Sequence, residues 1–237
     1  MSIFDTMEKR HHVVKYKPEP VPDKLMKELM YKAWKISPSK NNFMPFNVNV
    51  IGPHNQEEKT KIWEMTVDNH KYYEEIGNAT ANKHLVHKYK FKINPNYEHV
   101  RFNSHLLVFT SRVCPEPNKF YKRMVQDEGH FAEQCELDQV LDLAEATSVE
   151  VGLFASHLTG LCIENGIDVS FCACIRKNVN QWRQFPYLWY DKEKQYARVH
   201  LVMSIGYGEH YRYQWLARHN ITDQDIKPEY DEIVKWI

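Results

Sequence analysis

The sequence predicts an α+β fold, a mixed or antiparallel central sheet flanked by helices. Three observations predict it. Short β-type runs recur at residues 46–51, 105–113, 167–175 and 199–205. Helical patterns separate them, and the longest covers residues 137–165. The order is helix, strand, helices, strand, long helix, strand, strand, which suggests a sandwich with helices packed on the sheet.

Each element has a local reason. Lys17-Pro18-Glu19-Pro20-Val21-Pro22 is extended, because alternate prolines fix φ and deny a helix. A helix starts near Pro22-Asp23. Leu25, Met26, Leu29, Met30, Ala33 and Trp34 form its apolar stripe. Ser37-Pro38 ends it. Phe46, Val48 and Val50 alternate with Asn47 and Asn49, a strand pattern that Gly52-Pro53 closes. Residues 56–73 are predicted helical. The polar stretch 74–97 reads as an insertion or lid. Residues 105–113 form an apolar run of the buried-strand type.

The long helix carries Val140, Leu141, Ala144, Val151, Phe154, Ala155, Leu158 and Cys162 around much of its circumference. A helix apolar on so many sides is central in the molecule or buried between subunits. Asn165-Gly166 stops it. Strands at 167–175 and 199–205 follow, and Gly206-Tyr207-Gly208 ends the second. The polar tail 215–237 keeps a few apolar anchors and could wrap a partner subunit. All 237 residues are read as one domain.

Charge and composition narrow the function. Lys+Arg and Asp+Glu balance at 31 each, so nothing in the net charge calls for nucleic acid or an anionic membrane as partner. No apolar run approaches a membrane span, and residues 1–10 lack the apolar core of a signal peptide. The five cysteines have no framework spacing, and Cys172-Ala173-Cys174 sits in an apolar stretch. Reduced thiols and a cytoplasmic setting are expected. The thirteen histidines include no His-Glu-x-x-His spacing, so no metal ligands are assigned.

Two segments carry candidate chemistry. Lys9-Arg10-His11-His12, with Lys15 after it, joins a guanidinium to two imidazoles and suits a phosphate. By itself such a run also fits a solvated basic surface. Ser37-Pro38-Ser39-Lys40-Asn41-Asn42-Phe43-Met44-Pro45-Phe46 lies between a helix and a strand. Its hydroxyl, amide and backbone groups can bond a polar ring edge, or simply make a turn. No Gly-x-Gly-x-x-Gly is present, which argues against a Rossmann dehydrogenase.

Taken together, residues 10–46 resemble the N-terminal region of the nitroreductase family. There a basic Arg-Arg/His-Ser motif precedes an extended Pro-x-Pro stretch, an amphipathic helix and Pro-Ser-x-x-Asn-x-Gln-Pro-Trp. Arg10-His11-His12 and Pro38 to Phe46 occupy the two motifs here, with Met44 in place of the usual Gln and Phe46 in place of Trp. Fainter likenesses run through residues 144–168 and 201–208. The strand position where many members carry Glu-Gly falls near Cys172-Ala173-Cys174, without an acid.

The resemblance implies a nitroreductase-like sandwich with the long helix in a dimer core. It implies a homodimer with FMN at the subunit interface. Arg10, His11 and His12 would meet the phosphate, ribityl chain or ring edge. Pro38, Ser39 and Asn42 would approach the flavin from the same subunit or its partner. A C-terminal arginine would complete the phosphate site, with Arg218 the first candidate and Arg212 the second. The implied activity is oxidoreduction: NADH or NADPH reduces the flavin transiently, and a small organic acceptor such as a nitroaromatic or quinone reoxidises it in a ping-pong cycle. The flavin carries that chemistry, so no catalytic side chain is assigned. The altered Met44 and Cys172–Cys174 positions also admit a relative of dehalogenase or dehydrogenase type, or a catalytically silent flavin-binding protein.

Overall fold

The computed structural model describes residues 3–39, 42, 44–79, 98–112, 143–172, 182, 184–185, 198–218 and 230–234. In chain order the elements are α1 (Ile3–Glu8), β1 (Val13–Tyr16), α2 (Asp23–Ile36), β2 (Phe46–Ile51), α3 (Gln56–Ala79), α4 (Glu98–Arg101) and β3 (His105–Ser111). Then come α5 (Leu143–Glu164), β4 (Asp168–Cys172), β5 (Val199–Gly206), β6 (Gly208–Tyr211), α6 (Arg212–Arg218) and α7 (Tyr230–Ile233). Residues 74–79 continue α3, whereas residues 80–97 of the supposed lid lie outside the described residues. So do residues 137–142 of the long helix, residues 173–175, and Cys114, Cys135 and Cys174.

Four strands make one sheet in the order β2-β3-β5-β4. All three pairings are antiparallel, so the sheet takes the antiparallel form of the two the sequence allows. The pleat sends neighbouring side chains to opposite faces, and each face has its own core. Leu107, Phe109, Met203 and Ile205 face α2 and α5. Leu106, Val108 and Val202 face Ile62 and Met65 of α3 and Val100 of α4. The result is helix, sheet, helix. It explains why β3 is buried along almost its whole length and why its sequence is a continuous apolar run. A register shift between Phe109 and Thr110 displaces the β5 partner from Leu201 to Val199. That extra residue turns Val199 onto the face of Val202.

On α2 the buried residues are Met26, Leu29 and Ala33. Trp34, counted in the apolar stripe from sequence, is 55% exposed. At about 100° per residue it stands roughly a quarter turn or more from the stripe's centre, beside exposed Tyr31. Helix α5 buries Val151, Phe154, Ala155, Leu158 and Cys162 in the core. Its opposite side presents Val149, Gly152, Leu153 and Ser156 to solvent, at helical spacing. The free thiols of Cys162 and Cys172 are buried, and burial pushes that of Cys162 up to about 12.

A second, two-stranded ribbon pairs β1 with β6 antiparallel. Neither strand has a sequence pattern strong enough to announce it, and its stability comes from bonds to the larger sheet. Ser170 Oγ of β4 accepts the Val13 N–H at 2.8 Å and donates to the Val13 carbonyl at 2.9 Å. Tyr16 OH donates to the Ser204 carbonyl at 2.9 Å. Asp168 accepts from Gly208 N at 2.9 Å and from Tyr211 OH at 3.2 Å. Gly206 has to be glycine, since a Cβ there would lie 2.8 Å from the Tyr16 ring.

Candidate functional site

The ribbon fixes the first basic segment. Helix α1 ends with Arg10 N donating to the Met7 carbonyl, and Arg10 to His12 lead directly into β1. At the ribbon's end Arg212 N donates to the His12 carbonyl at 2.9 Å, which brings the start of α6 against that segment. Arg10 is exposed, and His11 and His12 are half-buried. The His12 ring meets His99 of α4 edge-on at 5.2 Å. The His11 ring lies 4.5 Å from Tyr213, which stacks on Tyr211 at 5.6 Å.

These placements set the charge. Burial, then the nearby Arg212 and Arg10 guanidiniums, lower His12 to about 4. Burial, with His12 beside it, lowers His99 to about 3. Both imidazoles are therefore neutral at pH 7, and the positive charge of the cluster belongs to the arginines. Arg212 Nε is buried and has no hydrogen-bond partner among the described residues. Arg218, the arginine favoured from sequence spacing, lies six residues on, about 9 Å along α6, and is exposed. Arg212 is thus the arginine brought to His12. Lys15 is engaged elsewhere, in an exposed ion pair with Glu209 across the ribbon at 2.9 Å.

The second segment is a braced loop. Ser37 N caps α2 through the Ala33 carbonyl, and Ser37 Oγ bonds His157 Nδ1 of α5 at 3.0 Å. Pro38 is exposed. Ser39 Oγ accepts the Met44 N–H at 2.7 Å, and its carbonyl accepts the Asn42 N–H at 3.0 Å. The Ser39 oxygen that the sequence offered to a ligand therefore also holds the loop, although a hydroxyl that accepts can still donate. Asn42 has φ 54° and Met44 has φ 48°, both left-handed. Asn tolerates that region; Met is strained in it by roughly 1 kcal/mol or more. Arg112, next after β3, fixes the strained residue by donating from Nε to the Met44 carbonyl at 2.8 Å. Its backbone N donates to the Pro45 carbonyl at 2.9 Å.

Beside this loop lies a cavity of about 380 Å³. Its apolar walls are Met30, Met44, Val48 and the rings of Trp34, Phe46 and Phe154, and Asn42, Asn47 and Arg112 supply its polar groups. Phe46, the substitution at the family's Trp position, also belongs to the core, with its ring 5.5 Å from Phe154 and 6.3 Å from Phe109. Neither Arg112 nor Trp34 carries a motif that singles it out in sequence. Lys40, Asn41, Phe43 and the Ala173-Cys174 position lie outside the described residues.

The two segments do not meet within one chain. The basic cluster stands by the end of the sheet where β3 begins and β5 finishes, because β6 follows β5 there and His99 precedes β3. The loop stands where β3 finishes, against Arg112. Seven residues of β3 separate those ends by about 20 Å. The segments also belong to opposite edges, the loop leading into β2 and the ribbon fastened to β4. Among the described residues, no group of three or more His, Cys, Asp and Glu side chains could hold a metal ion. No described helix is long and apolar enough to cross a membrane.

No family model matches the chain, and no curated protein matches it in sequence. Solved structures do match it. A BluB-like flavoprotein from Clostridium difficile 630 aligns over 100% of this chain and 99% of its own, with 16% identity and a TM-score of 0.61. A nitroreductase-like protein from Streptococcus mutans aligns over 99% and 97%, with 15% identity and a TM-score of 0.60. The NADPH:FMN oxidoreductase from Vibrio harveyi, complexed with NAD+, aligns over 88% and 70%, with 11% identity and a TM-score of 0.55. The fold of this chain is the nitroreductase fold.

Proposed function

We propose that this nitroreductase-fold chain is an FMN-dependent oxidoreductase that takes electrons from NADH or NADPH and passes them to a small organic acceptor. The observation that supports the reading is the presence of the two motif segments on a fold shared with a BluB-like flavoprotein and an NADPH:FMN oxidoreductase. Bound FMN would supply the two-electron chemistry, alternately reduced and reoxidised in a ping-pong cycle.

The residues fit such a group. Arg10 and Arg212 would hold the phosphate, and the buried Nε of Arg212, without a hydrogen-bond partner among the described residues, is a donor that an anion satisfies. Neutral His12 can donate or accept at one side of that anion without adding charge. His11, held against Tyr213, would bound the ribityl chain or ring edge. Pro38, Ser39 and Asn42 would meet the ring from the partner, because one chain keeps its loop and its basic cluster at opposite ends of the sheet. The functional unit is accordingly a homodimer. The exposed stripe Val149, Gly152, Leu153 and Ser156 on α5 supplies an apolar face for its interface. A single cytoplasmic domain, an insertion or lid at 74–97 and a tail at 215–237 laid on the partner complete the proposal.

The test begins with the absorption spectrum of purified protein titrated with FMN. Uptake of about one flavin per chain is expected, with bleaching on anaerobic addition of NADH or NADPH. A protein that leaves FMN free at saturating concentration would overturn the reading.

A further inference from the structure

We infer that His157 is a positioning residue for the flavin: through Ser37 it fixes the loop that carries Ser39 and Asn42 at the distance from which they reach the ring. The inference rests on the proposed function for the identity of the ligand, and on the geometry of α5 and the loop for the tether.

The loop needs bracing. Asn42 and Met44 both hold left-handed backbone, at φ 54° and 48°. Such a conformation persists at a methionine only where its surroundings impose it. Ser39 Oγ and Arg112 Nε grip that residue from two sides, one at its N–H and the other at its carbonyl. Those bonds join the loop to itself and to the end of β3. The bond between Ser37 Oγ and His157 Nδ1, at 3.0 Å, joins it to α5. Ser37 is only 6% exposed, so its hydroxyl takes the imidazole as partner in place of water.

His157 stands where three surfaces meet. On α5 its neighbours three and four residues back are Phe154 and Leu153. Phe154 is a wall of the cavity that Asn42 and Met44 also line. Leu153 belongs to the exposed stripe proposed as the dimer face. A half-buried imidazole at this junction sets the spacing between the loop and the face on which a second copy would sit. Because the loop would deliver Ser39 and Asn42 to the partner's flavin, a change at His157 is read at a ring that His157 itself does not touch.

The test is a double-mutant cycle on full-length protein, with His157→Ala, Ser37→Ala and the pair each titrated with FMN by absorbance. Each single variant should bind FMN about fivefold more weakly than wild type or worse. The double variant should lose no more than the weaker single one, because one bond cannot be lost twice. His157→Asn keeps a hydrogen-bonding group near the place of Nδ1 and should recover most of the affinity. The visible circular dichroism of flavin bound at saturation should change in His157→Ala and return in His157→Asn, which a general loss of stability would not produce. Without FMN, tryptic cleavage after Lys40 in the loop should be faster in both single variants. FMN affinity and flavin dichroism like those of wild type in Ser37→Ala and His157→Ala overturn the inference. So does a double variant whose loss is the product of the two single losses. Ser37→Ala keeps the backbone bond that caps α2, so it and His157→Asn decide the matter even if His157→Ala does not fold. A wild type that leaves FMN free would sink the proposed function, and faster cleavage after Lys40 in the variants would still leave the tether standing.

Discussion

The neutral imidazole pair under the basic cluster makes the protein acid-sensitive in a calculable way. His12 is held at about 4 and His99 at about 3, chiefly by burial, with Arg212 and Arg10 adding to it for His12 and the adjacent His12 for His99. In the unfolded chain both return to about 6.5. The unfolded state therefore binds protons that the folded state refuses, and folding stability decreases as the pH is lowered. The contribution is fully present above pH 6.5. It is lost progressively as pH falls toward about 4 for His12 and about 3 for His99. Each proton costs about 1.4 kcal/mol per pH unit within the window, so by pH 5 each residue has cost about 2 kcal/mol and the pair about 4. Urea unfolding at constant FMN and protein concentration, repeated between pH 8 and pH 5, measures the slope. His99→Phe should remove close to half of this part of the slope, whatever it does to stability at pH 8. Imidazole NMR signals of His12 and His99 should remain those of the neutral ring at pH 5. A wild-type-like slope in the variant, or titration of either ring near 6.5, refutes the reasoning.

Arg212→Ala should weaken FMN binding at least tenfold in an absorbance titration, and Arg218→Ala should change it less than twofold. Lys59 is fully buried, donates to the Asn103 and Ser104 carbonyls at 2.8 Å each, and is lowered by burial to about 8. The folded state then releases this proton before the unfolded chain does, so stability should rise by up to about 3 kcal/mol from pH 8 to 10.5; Lys59→Met should show no such rise in denaturant titrations. Ser170→Ala removes both bonds to the Val13 backbone and should cost about 2 kcal/mol, read from the urea midpoint. Leu153→Glu on the exposed side of α5 should yield monomers by sedimentation while the far-ultraviolet circular dichroism is unchanged.

The elements legible in the sequence are those whose stability is written locally. The alternation of β2, the apolar run of β3 and the long apolar pattern of α5 each have a period that one helix or strand satisfies. The ribbon of β1 and β6 does not. Val13 owes its place to a serine 157 positions away and Tyr16 to a carbonyl 188 positions away, and no window along the chain contains either pair. The short helix α1 was hidden for a related reason. It packs through Met7 against Gly160 of α5, a tertiary contact rather than a strong helical pattern of its own. The sequence ranks Arg218 ahead of Arg212 on spacing alone, which is blind to contacts of this kind. Counting residues from Gly206 gives no hint that β6 doubles back and returns residue 212 to His12.

The site was legible as two motifs and illegible as a geometry. Their spacing in sequence suggests one unit, yet the fold sends them to opposite ends of the sheet. Closing that gap within one chain would require the loop to swing across β3. Its anchors oppose this: Arg112 holds the Met44 carbonyl, Ser39 holds the Met44 N–H, and Ser37 is bonded to His157. The last of these bonds gives the other route. His157 is the neighbour of Ser156, a member of the exposed stripe on α5. A second copy seated on that stripe would come up against the tethered loop without moving it. The same apolar face that could join two chains would then deliver each chain's Asn42 and Ser39 toward the other's Arg10, His12 and Arg212. On this reasoning dimerisation and flavin binding are one event, so a monomeric Leu153→Glu protein should have lost its FMN. A monomer that kept full flavin occupancy would show that a single chain closes the distance by itself.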